Sequence, residues 1–330
     1  MWIGICLARL VIALTVIAAF SFSGTAQAQK TLTLGGSDSI GSILDRQNDH
    51  FTKLCNERAA GKLKINFIQG EQLGNDMQVI EQMMQGSVQI YGDVLDWYAN
   101  FVKDYAIFGW GFTFRDIDHL EKFVASPVHA KMAEELRTKN GIRILAATGL
   151  QPRVLFANKK VAKLEDMSGI KMRVPEIKVY VKLWETLGAR PSRLAWAEVF
   201  LGLKNGVVDG AEGPVSAAYA AKFHEAVKHV MRTDHILSTT HITINEKAYQ
   251  DLGPELQATI TGCAKDAVAW ARDQAQKETE EVLAKMGIGG TVVHKIDTGP
   301  FRAKSEAAVA EMENDGAWRG GLWKEIQDTK

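Results

Sequence analysis

Cysteine is scarce in this chain of 330 residues: there are three, and Cys6 stands in the N-terminal stretch, apart from Cys55 and Cys263. Two distant cysteines make no disulfide framework. Both occupy apolar positions of helix-like patterns, which predicts buried free thiols. A surplus of one charge is missing too. Lysine plus arginine number 39 and aspartate plus glutamate 39, with no basic face or charge block. That balance argues against nucleic acid as a partner. Beyond the N-terminal stretch no apolar run reaches the roughly 20 residues a bilayer span requires. No internal repeat and no low-complexity linker divides the sequence.

The arrangements that carry catalysis are absent as well. His224-Glu225 with His229 has the wrong spacing for a helical zinc site, which needs two histidines four apart around the glutamate. Gly36-Ser37-Asp38-Ser39 lacks the glycine two residues after the serine that a nucleophile elbow requires. There is no phosphate-cradling glycine loop and no Cys-x-x-Cys pair. His235 and His241 flank a strand-like boundary, where structural hydrogen bonds are the expectation. With neither a nucleophile–base pair nor a metal cluster, a secreted hydrolase or lyase is a distant alternative. The reading is a protein that is not an enzyme and needs no cofactor or metal.

What is present begins at the N-terminus. Arg9 is the only charge before Lys30, an apolar stretch runs from Leu10 to Phe20, and Ala26-Gln-Ala28 follows. This is the layout of a cleavable export signal, with cleavage expected after Ala28. Removal of residues 1–28 takes away Arg9 and leaves 38 basic against 39 acidic side chains.

Strand and helix patterns alternate through the rest. Thr31–Leu34 and Leu63–Ile68 alternate with period two, and Val88–Tyr91 is a further short strand. A helical pattern starts at Ser39, and another runs from Asp76 to Met84 with Gly86 past its end. Strand candidates at 142–147, 153–157 and 170–174 begin a second set, and 196–204 reads as a helix. The expectation is an α/β protein with helices on a mainly parallel sheet. From Pro254 to Met286 a helix is expected, with Leu256, Ile260, Cys263, Ala267 and Trp270 on one stripe. At 1.5 Å per residue it would approach ~50 Å, longer than one lobe is wide, so it should lie along both. Thr298–Phe301 reads as a turn, followed by a solvated helix around Arg302–Glu306.

The clearest signal lies between Arg153 and Pro214. Arg153 and Arg173 each sit in an apolar strand-like run, Trp196 precedes Glu198-Val199, and Asp209-Gly-Ala-Glu-Gly-Pro214 closes the segment. Guanidiniums on strands are rigidly placed, and each can hold a carboxylate through two parallel hydrogen bonds. A tryptophan adds a flat apolar wall.

Together with Gln72–Asp76, Ile80–Gly86, Leu164–Pro175 and Leu203–Gly210, these residues resemble the solute-binding proteins of TRAP transporters, the tripartite ATP-independent periplasmic systems. The branch is that of the dicarboxylate-binding proteins, and the likeness covers essentially the whole chain after Ala28. It implies a two-lobed periplasmic-binding-protein-like fold with a ligand cleft between the lobes and a long helix spanning both. The implied division is 29–150 with 239–278 returning to it, 151–238 with about 279–306 returning to it, and a helical segment 307–330. The implied ligand is a small organic acid, the partners are the small and large membrane subunits, and the compartment is the periplasm. In that pattern Arg173 makes the principal ionic contact to the ligand carboxylate, Arg153 supports it, and Trp196 packs on the ligand. Ser37, Asp76 and, more remotely, Asp93 contribute from the other lobe. Two positions depart from the pattern. Gly213 stands where an asparagine is common and offers only backbone, and Gly111 replaces a proline beside Trp110. The missing asparagine and the aromatic lining by Trp196 and Trp110 tilt the expected pocket towards a less polyhydroxylated acid. A receptor serving a sensor or another transporter type is the alternative within the binding class.

Overall fold

The computed structural model describes residues 29–329. The expected export signal, its cleavage site and Cys6 lie outside the described residues. Ten strands are formed: β1 (Lys30–Gly35), β2 (Leu63–Ile68), β3 (Ile90–Tyr91), β4 (Ile142–Ala157), β5 (Lys171–Val174), β6 (Arg190–Arg193), β7 (Gly210–Pro214), β8 (His229–Arg232), β9 (Leu237–Asn245) and β10 (Val292–Lys295). Period-two alternation explains the first of them: Leu32 and Leu34 of β1 and Leu63 and Ile65 of β2 are buried, while Lys64 and Asn66 point outward.

The sheet path is β2-β1-β3-β9-β4-β7-β5-β6, with β8 attached to β4 and β10 to β8. Its flanks are parallel, at β1/β2, β1/β3, β5/β6 and β5/β7. Its centre is antiparallel, at β3/β9, β9/β4, β4/β7 and β4/β8. The expected mainly parallel sheet is therefore a mixed one. The reason is topological: β4 leaves the first half of the sheet for the second, and β9 returns beside it in the opposite direction.

A second difference concerns β4 itself. Two strands were expected, with a break at Thr148–Pro152; the structure has one strand of 16 residues. Register shifts against β9, between Ile144 and Ala146 and between Gly149 and Pro152, absorb the glycine and the proline. The first half of β4 pairs with β9, and residues 153–157 pair with β7 and β8. One strand thus belongs to both lobes.

Helix starts follow their caps. The first helix begins at Ile43, where the Ser42 hydroxyl accepts from the Asp45 amide, four residues later than the pattern suggested. The helix Asp76–Gln85 has a reciprocal capping box between Asn75 and Gln78, and ends at Gly86 with φ of 84°. The long helix covers Pro254–Ile288, 35 residues. Leu256, Ile260, Cys263 and Ala267 pack with β1, β2 and the first helix. Val282, Leu283 and Met286 pack with Val154, Phe156 and Phe223. The helix is clamped in two cores, as its length required. Cys55 and Cys263 are free and buried.

Thr298–Phe301 is not a separate turn. Gly299–Ala307 is a helix that starts at this glycine–proline pair, and its Phe301 and Ser305 are buried. Trp110 is likewise core: it is buried, and its ring centroid lies 5.8 Å from that of Trp318 in the C-terminal segment. Helices Val309–Asn314 and Leu322–Gln327 complete that segment.

Candidate ligand-binding site

A cavity lies where the ends of β1 and β3 face β4, β5 and β7, between the two halves of the sheet. It offers about 50 Å³ to the centres of water-sized molecules. Of the seven residues singled out in the sequence, Ser37, Asp76, Asp93, Arg153, Arg173 and Trp196 line it. Gly213 does not. Its place is beneath Trp196, where a Cβ would stand 3.1 Å from the indole Cη2, so the missing side chain makes room for the ring.

The two arginines differ in kind. Arg153 Nε and Nη2 donate to Glu212 Oε2 and Oε1 at 2.5 and 2.6 Å, a two-pronged ion pair with Glu212 wholly buried. The register explains it: Arg153 faces Pro214 and Leu155 faces Glu212, so Arg153 and Glu212 are diagonal neighbours on one face of the sheet. His235 adds Nε2 at 3.2 Å from Glu212 Oε2. Burial alone would raise the Glu212 carboxyl, but the Arg153 charge and these hydrogen bonds bring it down to about 2. Arg153 is thus already occupied.

Arg173 is buried with no such partner. Its Nε and Nη2 both donate to the Leu194 carbonyl, at 2.9 and 2.7 Å. Among the described residues it makes no ion pair. Burial pulls this guanidinium down to about 10, with Glu212 and Asp76 acting against the shift from nearby. A cation buried without a counter-ion costs several kcal/mol, and an arriving anion removes that cost. Trp196 covers it, with the guanidinium carbon 5.4 Å from the ring centroid.

The facing wall comes from the first half of the sheet. Asp76 is the first helical residue after the Asn75 cap, so it is free of capping duty, and its Oδ1 accepts from the Tyr91 hydroxyl at 2.6 Å. Ser37 likewise caps no helix, and its hydroxyl is buried without a hydrogen-bond partner. Asp93 accepts from the Val94 amide. Asp38, Asp96, Trp97 and Tyr180 also line the cavity and were not foreseen, nor was the role of Glu212. Only Glu212 carried a signal, inside the acidic turn before Pro214.

Contacts join the two sides across the cavity. Trp196 Nε1 donates to Ser39 Oγ at 2.9 Å, Asn75 Nδ2 to Glu176 Oε2 at 3.2 Å, and the Tyr180 hydroxyl to Asp96. The cleft is closed.

A closed cleft between two α/β lobes, with one strand and one long helix common to both, defines a two-lobed binding protein. Residues 38–315 match the model of the bacterial extracellular solute-binding proteins, family 7, and the chain belongs to that family. A solute-binding protein of Roseobacter denitrificans is 26% identical over 299 residues, 90% of this chain and 91% of its own. The crystal structure of a TRAP periplasmic solute-binding protein from Sulfurospirillum deleyianum with bound succinate is 25% identical, with a TM-score of 0.85, and covers 92% of this chain and 100% of that one. An open, ligand-free TRAP periplasmic solute-binding protein from Escherichia fergusonii is 27% identical, covers 91% and 100%, and superposes with a TM-score of 0.78.

Proposed function

We propose that this protein captures a small organic acid in the periplasm and hands it to the membrane subunits of a TRAP transporter, without making or breaking a bond. The observation that carries the reading is Arg173: a buried guanidinium that faces a cavity, holds only a carbonyl and lacks an anion. A ligand carboxylate supplies that anion, and the succinate-bound relative supports the same chemistry. Arg153 acts through Glu212 as a fixed, neutralised wall, and Trp196 closes over the carboxylate. Ser37, Asp76 and Asp93 receive the rest of the ligand. Closure divides the chain into 29–150 with 239–278 and 151–238 with about 279–306, a division supported by the two pairing halves of β4. The segment 307–330 buttresses the closed form. The N-terminal signal directs export and is then removed by cleavage after Ala28.

Arg173→Ala tests this. In titration calorimetry of residues 29–330, the variant is expected to lose at least about 100-fold in affinity for any carboxylate that binds, or about 2.7 kcal/mol. It should fold normally, because the change removes an unpaired buried charge. Unchanged affinity in the variant would remove the reading.

A further inference from the structure

The wall opposite Arg173 is chemically its reverse. Asp38, Asp76 and Asp93 line it, from the end of β1, the start of the helix Asp76–Gln85 and the end of β3. Asp76 and Asp93 are each 6% exposed, and Asp38 is partly exposed at the cavity. No lysine or histidine lines the cavity, and its two arginines make no ion pair with this cluster: Arg153 is bonded to Glu212, and Arg173 to the Leu194 carbonyl, with Asp76 near enough to Arg173 to share its field. Ser37, 2% exposed, opens on the same wall with its hydroxyl unpartnered. A ligand that is only an anion satisfies Arg173 and then adds its charge to a wall of carboxyls. A hydroxyl donates one hydrogen bond there but brings no positive charge. A cationic nitrogen offsets the wall directly, and Trp97 lines the same cavity.

We infer that the ligand is a small zwitterion, an amino acid or betaine, whose carboxylate meets Arg173 and whose cationic nitrogen faces Asp38, Asp76 and Asp93. This rests on the carboxylate reading of Arg173 and narrows it. The size agrees: about 50 Å³ is space for roughly four waters at ~10–15 Å³ each. The titration of the wall agrees as well. Burial pushes Asp38 up to about 7, and burial with the charges of Asp76 and Asp38 drives Asp93 well above the usual carboxylate range. A cation lowers these carboxyls again, so its arrival expels protons, whereas an added anion draws protons in.

The experiment is calorimetry on residues 29–330 at pH 7, in two buffers of different ionisation enthalpy, with isosteric sets. β-Alanine is set against butyrate and 3-hydroxypropionate, 4-aminobutyrate against valerate and 4-hydroxybutyrate, and glycine betaine against 3,3-dimethylbutyrate, with succinate added. In at least one set the cationic member should bind tenfold or more tighter than its partners, with net proton release. Asp93→Asn, whose Oδ1 can still accept from Val94, should fold by circular dichroism and bring that ratio towards one. Plain or hydroxy acids that bind as tightly as the cationic members, with proton uptake, overturn this inference and leave the organic-acid reading standing. Binding indifferent to Arg173→Ala, or no binding by any member, removes both.

Discussion

Two arginines twenty residues apart in sequence have opposite roles because one carboxylate, Glu212, reaches only one of them. Arg153 and Glu212 form a buried pair whose members are 6% and 0% exposed. Breaking such a pair strands a charge and costs more than the pair contributes when intact. Glu212→Gln is accordingly expected to destabilise the ligand-free protein by about 3–5 kcal/mol in urea denaturation. The double variant Arg153→Met with Glu212→Leu should recover most of the loss. Equal losses in both variants would mean that the site depends on shape rather than charge. Arg173 is expected from the sequence as the main anion holder, and it lines the cavity without an ion-pair partner among the described residues. The occupation of Arg153 is invisible in the sequence, because a cross-strand partner is a property of register.

At the scale of elements, packing next to the cavity is tight. A Cβ on Gly109 would lie 2.7 Å from both Val179 Cγ1 and Tyr180 Cε2. Tyr180 lines the cavity and donates to Asp96. Gly109→Ala is expected to cost about 1–3 kcal/mol by overpacking, and to weaken ligand binding by turning Tyr180. A stability loss with unchanged affinity would show that Tyr180 is merely structural. The same scale explains what the sequence reveals. Short strands such as β1 and β2 are legible from alternation, and the long helix from its stripe and its proline start. The continuity of β4 is not, since glycine and proline at 149 and 152 ordinarily end a strand; the neighbouring strand β9 and its register shifts override them. The acidic wall is only half legible. Asp76 and Asp93 stand at recognisable element ends, but their convergence with Asp38 brings together three segments distant in sequence.

For the whole molecule, side-chain hydrogen bonds cross the cleft from Trp196 to Ser39, Asn75 to Glu176 and Tyr180 to Asp96, beside the packing of Gly109 against Val179 and Tyr180. One of these bonds is buried, one half-buried and one exposed, and a hydrogen bond contributes about 1 kcal/mol net, so together they close the lobes only modestly without a ligand. Small-angle X-ray scattering should therefore give a larger radius of gyration for the ligand-free protein than for the saturated one. Identical values, with ligand absence verified, would mean that closure is not coupled to binding.

The continuous helix Pro254–Ile288 gives that motion its mechanics. Both ends are gripped by separate cores, and no proline interrupts it after its first residue. A loop hinge swings freely, but a rod gripped at both ends must flex when its holders rotate apart. It acts as a leaf spring, whose restoring force rises with the angle of opening. Such a spring limits how far the jaws gape, and it makes each excursion end in recoil.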